Sequence, residues 1–190
     1  MKTKFLAMMG PSGVGKNTIM NELVRMDPGF VVIKTHVTRP LREGETDRVS
    51  LSIEKLREMR RRDEVLPINP IYSAYYAALP RKPIERAFEE GKYPMCDYKI
   101  AFAEDLKNEL EGALFCVYLL PPNPTTTVRR LEAAGRKANQ TRLIEDSKEM
   151  MQLSTKYKGL VDLVIVNPDG KVEETAKAIR KAYLNSLQLF

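Results

Sequence analysis

The stretch Gly10-Pro11-Ser12-Gly13-Val14-Gly15-Lys16-Asn17-Thr18 determines how the rest of this sequence is interpreted. It follows a short apolar segment at residues 4–9, which we interpret as a buried strand, and it opens a helical pattern over residues 18–26. Glycines allow the backbone to wrap closely, so that successive N–H groups and the helix N-terminus face bound phosphates. Lys16 would supply a compact positive charge for the β- and γ-phosphates of a nucleotide. The strand–loop–helix context favours a phosphate-binding loop over a glycine-rich turn that binds nothing.

The loop departs from the usual phosphate-binding motif at the position that ligates the metal. Asn17 stands where Ser or Thr would ligate Mg²⁺, and an amide oxygen is a poorer ligand unless a water molecule bridges it to the ion. The hydroxyl of Thr18 is expected to point elsewhere on the helix. Asp97 ends a predicted strand, where a carboxylate could organise a magnesium-bound water or could equally be a cap or a surface group. The sequence therefore predicts ATP and Mg²⁺, with only water-mediated metal contacts from Asn17 and Asp97.

A second basic motif is the segment Thr35-His36-Val37-Thr38-Arg39-Pro40-Leu41-Arg42-Glu43-Gly44-Glu45. Two arginines three residues apart, flanked by hydroxyls and a turn, suit a clamp on a second phosphate group. A solvated basic loop would explain the segment equally well if it stood alone. Its interpretation therefore depends on the motifs that accompany it.

Composition and charge limit the possible partners. The chain has 190 residues, 43% apolar and 29% charged, which fits one domain with a sizeable core. Its net charge of +6 includes three clusters of arginines, which favours anionic small molecules over nucleic acid. No apolar run approaches the roughly 18 residues of a membrane span. Cys96 and Cys116 lack metal-ligand spacing, and the apolar N-terminus has no small-residue cleavage site, so we expect a reduced, cytoplasmic protein.

Strand and helix patterns alternate along the chain, which predicts an α/β domain whose mainly parallel β-sheet is flanked by helices. Predicted strands cover residues 30–33, 93–97, 113–120 and 161–166. Predicted helices cover residues 53–62 after a Ser52 cap, 81–90, 103–111, 124–133 after an Asn123 cap, 141–157 and 172–187.

The order of the motifs resembles that of the guanylate kinase family across nearly the whole chain. The segments that carry the resemblance are the glycine loop, Thr38-Arg39-Pro40 with Arg42 and Gly44-Glu45, Tyr75-Tyr76, Leu120-Pro121-Pro122, Arg129-Arg130-Leu131, and Val164-Ile165-Val166-Asn167. This resemblance implies a P-loop kinase fold in a single domain over residues 1–190. The implied core covers residues 1–34, 92–134 and 158–190, the acceptor-binding subdomain residues 35–91, and a short lid residues 135–142. A homodimer is a family-level expectation.

The resemblance also implies roles for individual residues in an ATP-dependent phosphoryl transfer. The cofactor-binding residues would be Gly10, Ser12, Gly13, Val14, Gly15, Lys16, Asn17 and Thr18. In addition to Lys16, the catalytic residues would be three arginines that approach the transferring phosphoryl group when the lid closes, Arg130, Arg136 and Arg142. The acceptor's phosphate would be held by Arg39, Arg42 and Tyr76, with Glu45 near the metal and phosphates and Thr35 near the acceptor.

Departures from the family pattern concentrate where the guanine base would be recognised. The positions concerned hold Leu51, Pro67, Ala78 and Lys99. Proline, alanine and leucine side chains cannot present the donors and acceptors that pair with a base edge.

The resemblance implies a nucleoside monophosphate as the default acceptor, GMP or dGMP, while two alternatives stay open. One is a kinase for another phosphorylated acceptor such as ribose 1,5-bisphosphate, whose extra phosphate Lys99 and Arg48 could meet. The other is a non-catalytic binding module, against which Lys16 and the lid arginines argue.

Overall fold

The backbone forms two β-sheets and their flanking helices in this computed structural model, which describes residues 3–71, 75–136 and 140–188. The strands of these residues are β1 (Phe5–Met9), β2 (Phe30–Val32), β3 (Thr35–Val37), β4 (Arg48–Ser50), β5 (Asn69–Ile71), β6 (Tyr75–Ala78), β7 (Tyr93–Asp97), β8 (Leu114–Leu120) and β9 (Leu163–Val166). The helices are α1 (Lys16–Met26), α2 (Ile53–Arg61), α3 (Arg81–Glu89), α4 (Ala103–Glu109), α5 (Pro124–Ala133), α6 (Gln140–Met151) and α7 (Val172–Gln188). In this part of the chain, none of the helices has the length and apolar character needed to cross a bilayer.

The first sheet confirms the predicted α/β class. Its strand order is β2-β7-β1-β8-β9, and all four pairings are parallel. The central strand β1 is buried along its whole length, because helices cover both faces of the sheet. Phe5, Ala7 and Met9 face one apolar cluster, and Leu6 and Met8 face the other. Because β1 and β7 pair in parallel, their carboxyl ends lie at one edge of the sheet, where the glycine loop begins.

The second sheet is small and mixed. Its order is β4-β3-β6-β5, with β3 parallel to β4 and antiparallel to β6. Its own apolar cluster contains the buried residues Leu56, Val65 and Ala78, with Leu51 packed against them. The sheet belongs to the segment predicted as the acceptor-binding subdomain, whose exact boundaries stay a prediction.

Two predicted helix caps are confirmed. The Ser52 hydroxyl accepts a hydrogen bond from the Lys55 backbone N–H at 3.1 Å at the start of α2. Asn123 Oδ1 accepts one from the Thr126 N–H, also at 3.1 Å, and Pro124 occupies the first turn of α5. Each cap satisfies a backbone donor that has no partner within the helix.

The helix predicted over residues 141–157 is wrong in its extent. Helix α6 ends at Met151, and consecutive turns occupy residues 152–160. In these turns the Thr155 and Tyr157 N–H groups both donate to the Gln152 carbonyl, and Gly159 has a φ of +79°. Leaving the helical path brings Tyr157 into the core, where it is buried. A helix favoured by local propensity thus gives way to the packing of one aromatic side chain.

Candidate active site

The glycine loop connects β1 to α1, and its conformation requires glycine. Gly10, Gly13 and Gly15 all have positive φ angles, of 129°, 78° and 102°. A Cβ at Gly13 would lie 2.6 Å from the Thr127 carbonyl oxygen, and one at Gly10 would clash with the Leu119 carbonyl. The loop therefore packs directly against the first sheet and α5, with no room for side chains at these points.

The back of the loop is held by bonds to the Val14 carbonyl. Arg130 Nη1 donates to this oxygen at 3.0 Å, and Asn167 Nδ2 donates to it at 2.8 Å. The Val14 side chain is fully buried in the core. Val14 therefore anchors the loop from behind instead of facing the site.

Lys16 begins α1 and folds back over the loop. Its Nζ donates to the Gly10 carbonyl at 2.7 Å and to the Pro11 carbonyl at 3.1 Å. Burial lowers the pKa of the Lys16 ammonium, and the negative charges of Asp97 and Asp146 oppose that effect. The ammonium thus lies among anionic groups and carbonyl oxygens at the mouth of the loop.

A cavity of about 460 Å³ joins the loop to the second basic motif. Among the predicted site residues, those that line it are Gly10, Ser12, Gly13, Gly15, Lys16, Asn17, Thr18, Thr35, Arg39, Arg42, Glu45, Asp97, Arg130, Arg136 and Arg142. Tyr76 lies on β6 outside this lining and is 40% exposed, and its backbone N–H donates to Thr38 Oγ1. Two motifs about 25 residues apart in sequence thus share one cavity.

The two arginines of the second motif are organised by Glu45. Arg39 donates to both carboxylate oxygens, with distances of 2.7 Å to Oε2 and 2.5 Å to Oε1. The Arg42 backbone N–H donates to Glu45 Oε2 at 3.1 Å. Hydrogen bonds from Arg39 hold the pKa of Glu45 down to about 2, despite its partial burial. The sequence placed Glu45 near metal and phosphates, and its contacts within the described residues are with the clamp arginines themselves.

Arg48 connects the second sheet to the first. It lies on β4 in register with Thr35, and its Nη1 donates to Thr35 Oγ1 at 2.7 Å. Its Nη2 forms an ion pair with Asp97 at the end of β7. Burial would raise the pKa of Asp97, but Arg48 and Lys16 outweigh it, so that the pKa lies below its usual value. Asp97 is therefore an ionised partner of Arg48.

The three predicted catalytic arginines occupy different positions. Arg130 also donates to the Asn167 carbonyl at 2.9 Å and forms an ion pair with Asp169 at 2.7 Å, so it braces the loop. Arg142 on α6 lies close enough to Lys16 to lower its pKa, and Arg136 similarly lowers the pKa of Arg42. Residues 137–139 of the predicted lid lie outside the described residues.

Two acidic residues of the site were not predicted from the sequence. Asp146 is buried, and its Oδ2 accepts a hydrogen bond from the Ser12 backbone N–H at 2.9 Å. Glu149 Oε1 accepts one from the Tyr118 hydroxyl at 3.0 Å, and burial raises the pKa of Glu149. Together with Arg142 they occupy positions i, i+4 and i+7 of α6, which lie on one helix face. The sequence signal that could have identified Asp146 and Glu149 is this helical spacing from Arg142.

The two residues considered for water-mediated metal contacts both have protein partners. Asn17 Nδ2 donates to Asp47 Oδ2 at 3.3 Å, and Asp97 is paired with Arg48. Over residues 3–71, 75–136 and 140–188, no group of three acidic, histidine or cysteine residues is arranged to hold an ion. These residues therefore do not form an all-protein cage for Mg²⁺, and the water-mediated contacts stay a prediction.

Only two of the four replaced base-recognition positions line the cavity. Ala78 and Lys99 line the cavity, whereas Leu51 packs into the apolar cluster of the second sheet and Pro67 is not part of the lining. Asn69, two residues after Pro67, does line the cavity, and its Nδ2 donates to the Tyr98 hydroxyl at 2.7 Å. Asn69 and Tyr98 are thus polar wall residues that the sequence did not indicate.

A parallel sheet with a glycine loop after its central strand, and a lysine at the start of the following helix, are the features of a P-loop nucleotide-binding protein. The family model described as guanylate kinase matches residues 2–186. A guanylate kinase of Sulfurimonas denitrificans is 32% identical over 182 residues, which cover 92% of this chain and 84% of the relative. One from a Nostoc species is 28% identical over 171 residues, covering 87% and 83%.

The crystal structure of guanylate kinase from Anaplasma phagocytophilum superposes with a TM-score of 0.75 at 20% identity, covering 97% of this chain and 86% of that one. At that identity the superposition supports the fold alone. The match of the family model across nearly the whole chain carries the assignment. The chain belongs to the guanylate kinase family and is an ATP-dependent phosphotransferase.

Proposed function

We propose that this protein transfers the γ-phosphoryl group of ATP to the phosphate of a nucleoside monophosphate, with GMP or dGMP as acceptor. The observation that supports the proposal best is the single cavity lined by Lys16 at one side and by Arg39 and Arg42 at the other. A reaction between two phosphate groups needs a cationic site for each. Membership in the guanylate kinase family supports the choice of nucleotide.

In this reaction an oxygen of the acceptor's phosphate forms a bond to the γ-phosphorus of ATP. The bond between that phosphorus and the β–γ bridging oxygen breaks, and ADP leaves with the electron pair. A phosphate oxygen is already a nucleophile at neutral pH, so no general base is needed. The protein contributes positioning and positive charge.

Each group of residues has a role in this scheme. The loop N–H groups and Lys16 bind the phosphates of ATP, while the Arg39–Glu45 fork and Arg42 hold the acceptor. Arg136 and Arg142 add positive charge around the group in transfer. We further propose that Mg²⁺ enters with ATP and is held by its phosphates, because Asn17 and Asp97 contact other side chains of the protein. A homodimer and a cytoplasmic location stay expectations from the sequence.

The proposal is tested by measuring ADP release from MgATP with a panel of acceptors. The panel contains GMP, dGMP, IMP, AMP, CMP, UMP and ribose 1,5-bisphosphate. We expect the highest kcat/KM with GMP or dGMP. Preferential turnover of ribose 1,5-bisphosphate would replace the proposed acceptor, and ATP binding without turnover of any panel member would contradict the proposed reaction.

A further inference from the structure

Arg48 is a cavity-lining cation for which the proposed reaction has no use. Its side chain is only 12% exposed and lies between the acceptor clamp and the end of β7. The hydroxyl of Thr35 and the carboxylate of Asp97 hold the guanidinium from two sides. A long side chain fixed in this way has already lost its rotamer freedom before any ligand binds.

The chemistry of Arg48 is that of a planar donor. A guanidinium carries five N–H groups and no acceptor, and the hydrogen bonds of Arg48 within the described residues go to Thr35 and Asp97. Lys99 in the neighbouring wall is likewise only a donor, whereas Asn69 donates its Nδ2 to the Tyr98 hydroxyl and also carries an amide oxygen acceptor. Val37 and Ala78 provide apolar wall beside them. This part of the cavity therefore suits a flat ring whose edge carries hydrogen-bond acceptors.

Each carboxylate in the described part of the cavity accepts at least one hydrogen bond from the protein. The partners are Arg39 for Glu45, Arg48 for Asp97, the Ser12 N–H for Asp146 and the Tyr118 hydroxyl for Glu149. A ring that contacts Arg48 itself has to present acceptors, because the guanidinium carries only donors.

We propose that Arg48 recognises the O6 and N7 acceptors of a 6-oxopurine, and thereby determines the base specificity of the acceptor site. An arginine fork matches this pair of acceptors, whereas adenine places a 6-amino donor against the guanidinium. The inference rests on the proposed function and names the acceptor as a 6-oxopurine nucleotide. Guanine and hypoxanthine both qualify, because Arg48 would contact only O6 and N7, which the two bases share.

The first test uses the unmodified protein, so that it does not depend on whether a variant folds. We expect kcat/KM for IMP to lie within about 10-fold of that for GMP, and AMP to be at least about 10-fold poorer. Replacing GMP by 7-deaza-GMP, which lacks the N7 acceptor, should raise the acceptor KM by about 10-fold. Strong rejection of IMP, or indifference to the loss of N7, would overturn the inference.

The second test uses Arg48→Lys, which keeps the charge opposite Asp97 but loses the planar fork. We expect this variant to lose most of the preference for GMP over AMP and to treat GMP and 7-deaza-GMP alike, with an unchanged KM for ATP. The control is Arg81→Lys, since Arg81 is 20% exposed and ion-paired with Asp63 and Glu109 outside the cavity lining. A uniform fall in kcat with unchanged preferences would mean that Arg48 does not recognise the base.

The two proposals fail in different ways. If GMP is phosphorylated but the preference for 6-oxopurines survives Arg48→Lys, the proposed function stands and the role of Arg48 is refuted. If ribose 1,5-bisphosphate is the preferred acceptor of the unmodified protein, both the nucleotide acceptor and the base-recognition role are refuted.

Discussion

Glu45 fixes the geometry of Arg39 and Arg42, the two arginines of the proposed acceptor clamp. Its two carboxylate oxygens bind the two terminal nitrogens of Arg39, and one of them also accepts from the Arg42 backbone. The arginine is thus presented in a defined orientation, and its orientation depends on an ionised carboxylate. The sequence indicated that all three residues belong to one site, but not that Glu45 binds the arginine.

This bonding predicts a pH dependence of stability. The pKa of Glu45 is lowered from 4.5 to about 2 in the folded protein, so its contribution to stability is fully present above pH 4.5 and is lost as the pH falls towards 2. Glu45→Gln should lower the free energy of unfolding by on the order of 1 kcal/mol at pH 7, less than the pKa shift alone implies because water screens the partly exposed pair. That difference from the unmodified protein should shrink steadily below pH 4.5.

Urea unfolding at pH 7, 4 and 3 measures the difference. Glu85→Gln, on the exposed face of α3, is the matched control and should show no such dependence. A difference for Glu45→Gln that stays constant between pH 7 and pH 3 would rule out the bidentate pair as its source.

Among the elements, α6 contacts the glycine loop through Asp146. Arg142, Asp146 and Glu149 project from one face of this helix into the cavity, and Asp146 accepts the Ser12 N–H of the loop. A carboxylate beside the phosphate-binding loop repels the phosphates of a nucleotide. Any movement of α6 that withdraws Asp146 would therefore favour ATP binding.

Asp146→Asn is predicted to tighten ATP binding by about 10-fold, because it removes one negative charge near the bound phosphates and keeps an oxygen for the Ser12 N–H. Isothermal titration with ATP and with adenosine checks this, since only the charged ligand should respond. Glu132→Gln removes a carboxylate from an exposed position on α5 and should leave both affinities unchanged. Weaker ATP binding by Asp146→Asn would show that the charge of Asp146 supports the loop.

How well the sequence predicted a helix or strand depended on its length and on signals within the element itself. Helices α2 and α5 carry their own caps, Ser52 and Asn123, and the sequence located both correctly. The strands of the second sheet were not predicted, because segments of three or four residues carry hardly any alternation. Their pairing joins residues as distant as His36 and Ala78, which only the folded chain brings together.

At the scale of the whole molecule, the fold brings the glycine loop and the second basic motif, both proposed to bind phosphate, to one cavity. The glycine loop follows β1 of the first sheet, the clamp follows β3 of the second, and the Arg48–Asp97 ion pair joins the two sheets between them. The loop was predictable because strand, glycines and lysine are contiguous in sequence. The partners of Arg48 and Asp146 were not, since they depend on contacts across 49 and 134 residues.

The central claim is that the γ-phosphoryl group passes directly from ATP to an acceptor nucleotide in this cavity, with Lys16 binding the group in transfer. The most direct measurement follows the label from [γ-³²P]ATP in the presence of GMP, for the unmodified protein and for Lys16→Met. We predict that the label appears in GDP, and that its transfer slows by on the order of 10³-fold in Lys16→Met while the exposed control Lys177→Met is unaffected. Release of the label as inorganic phosphate, or equal transfer by Lys16→Met, would contradict the account.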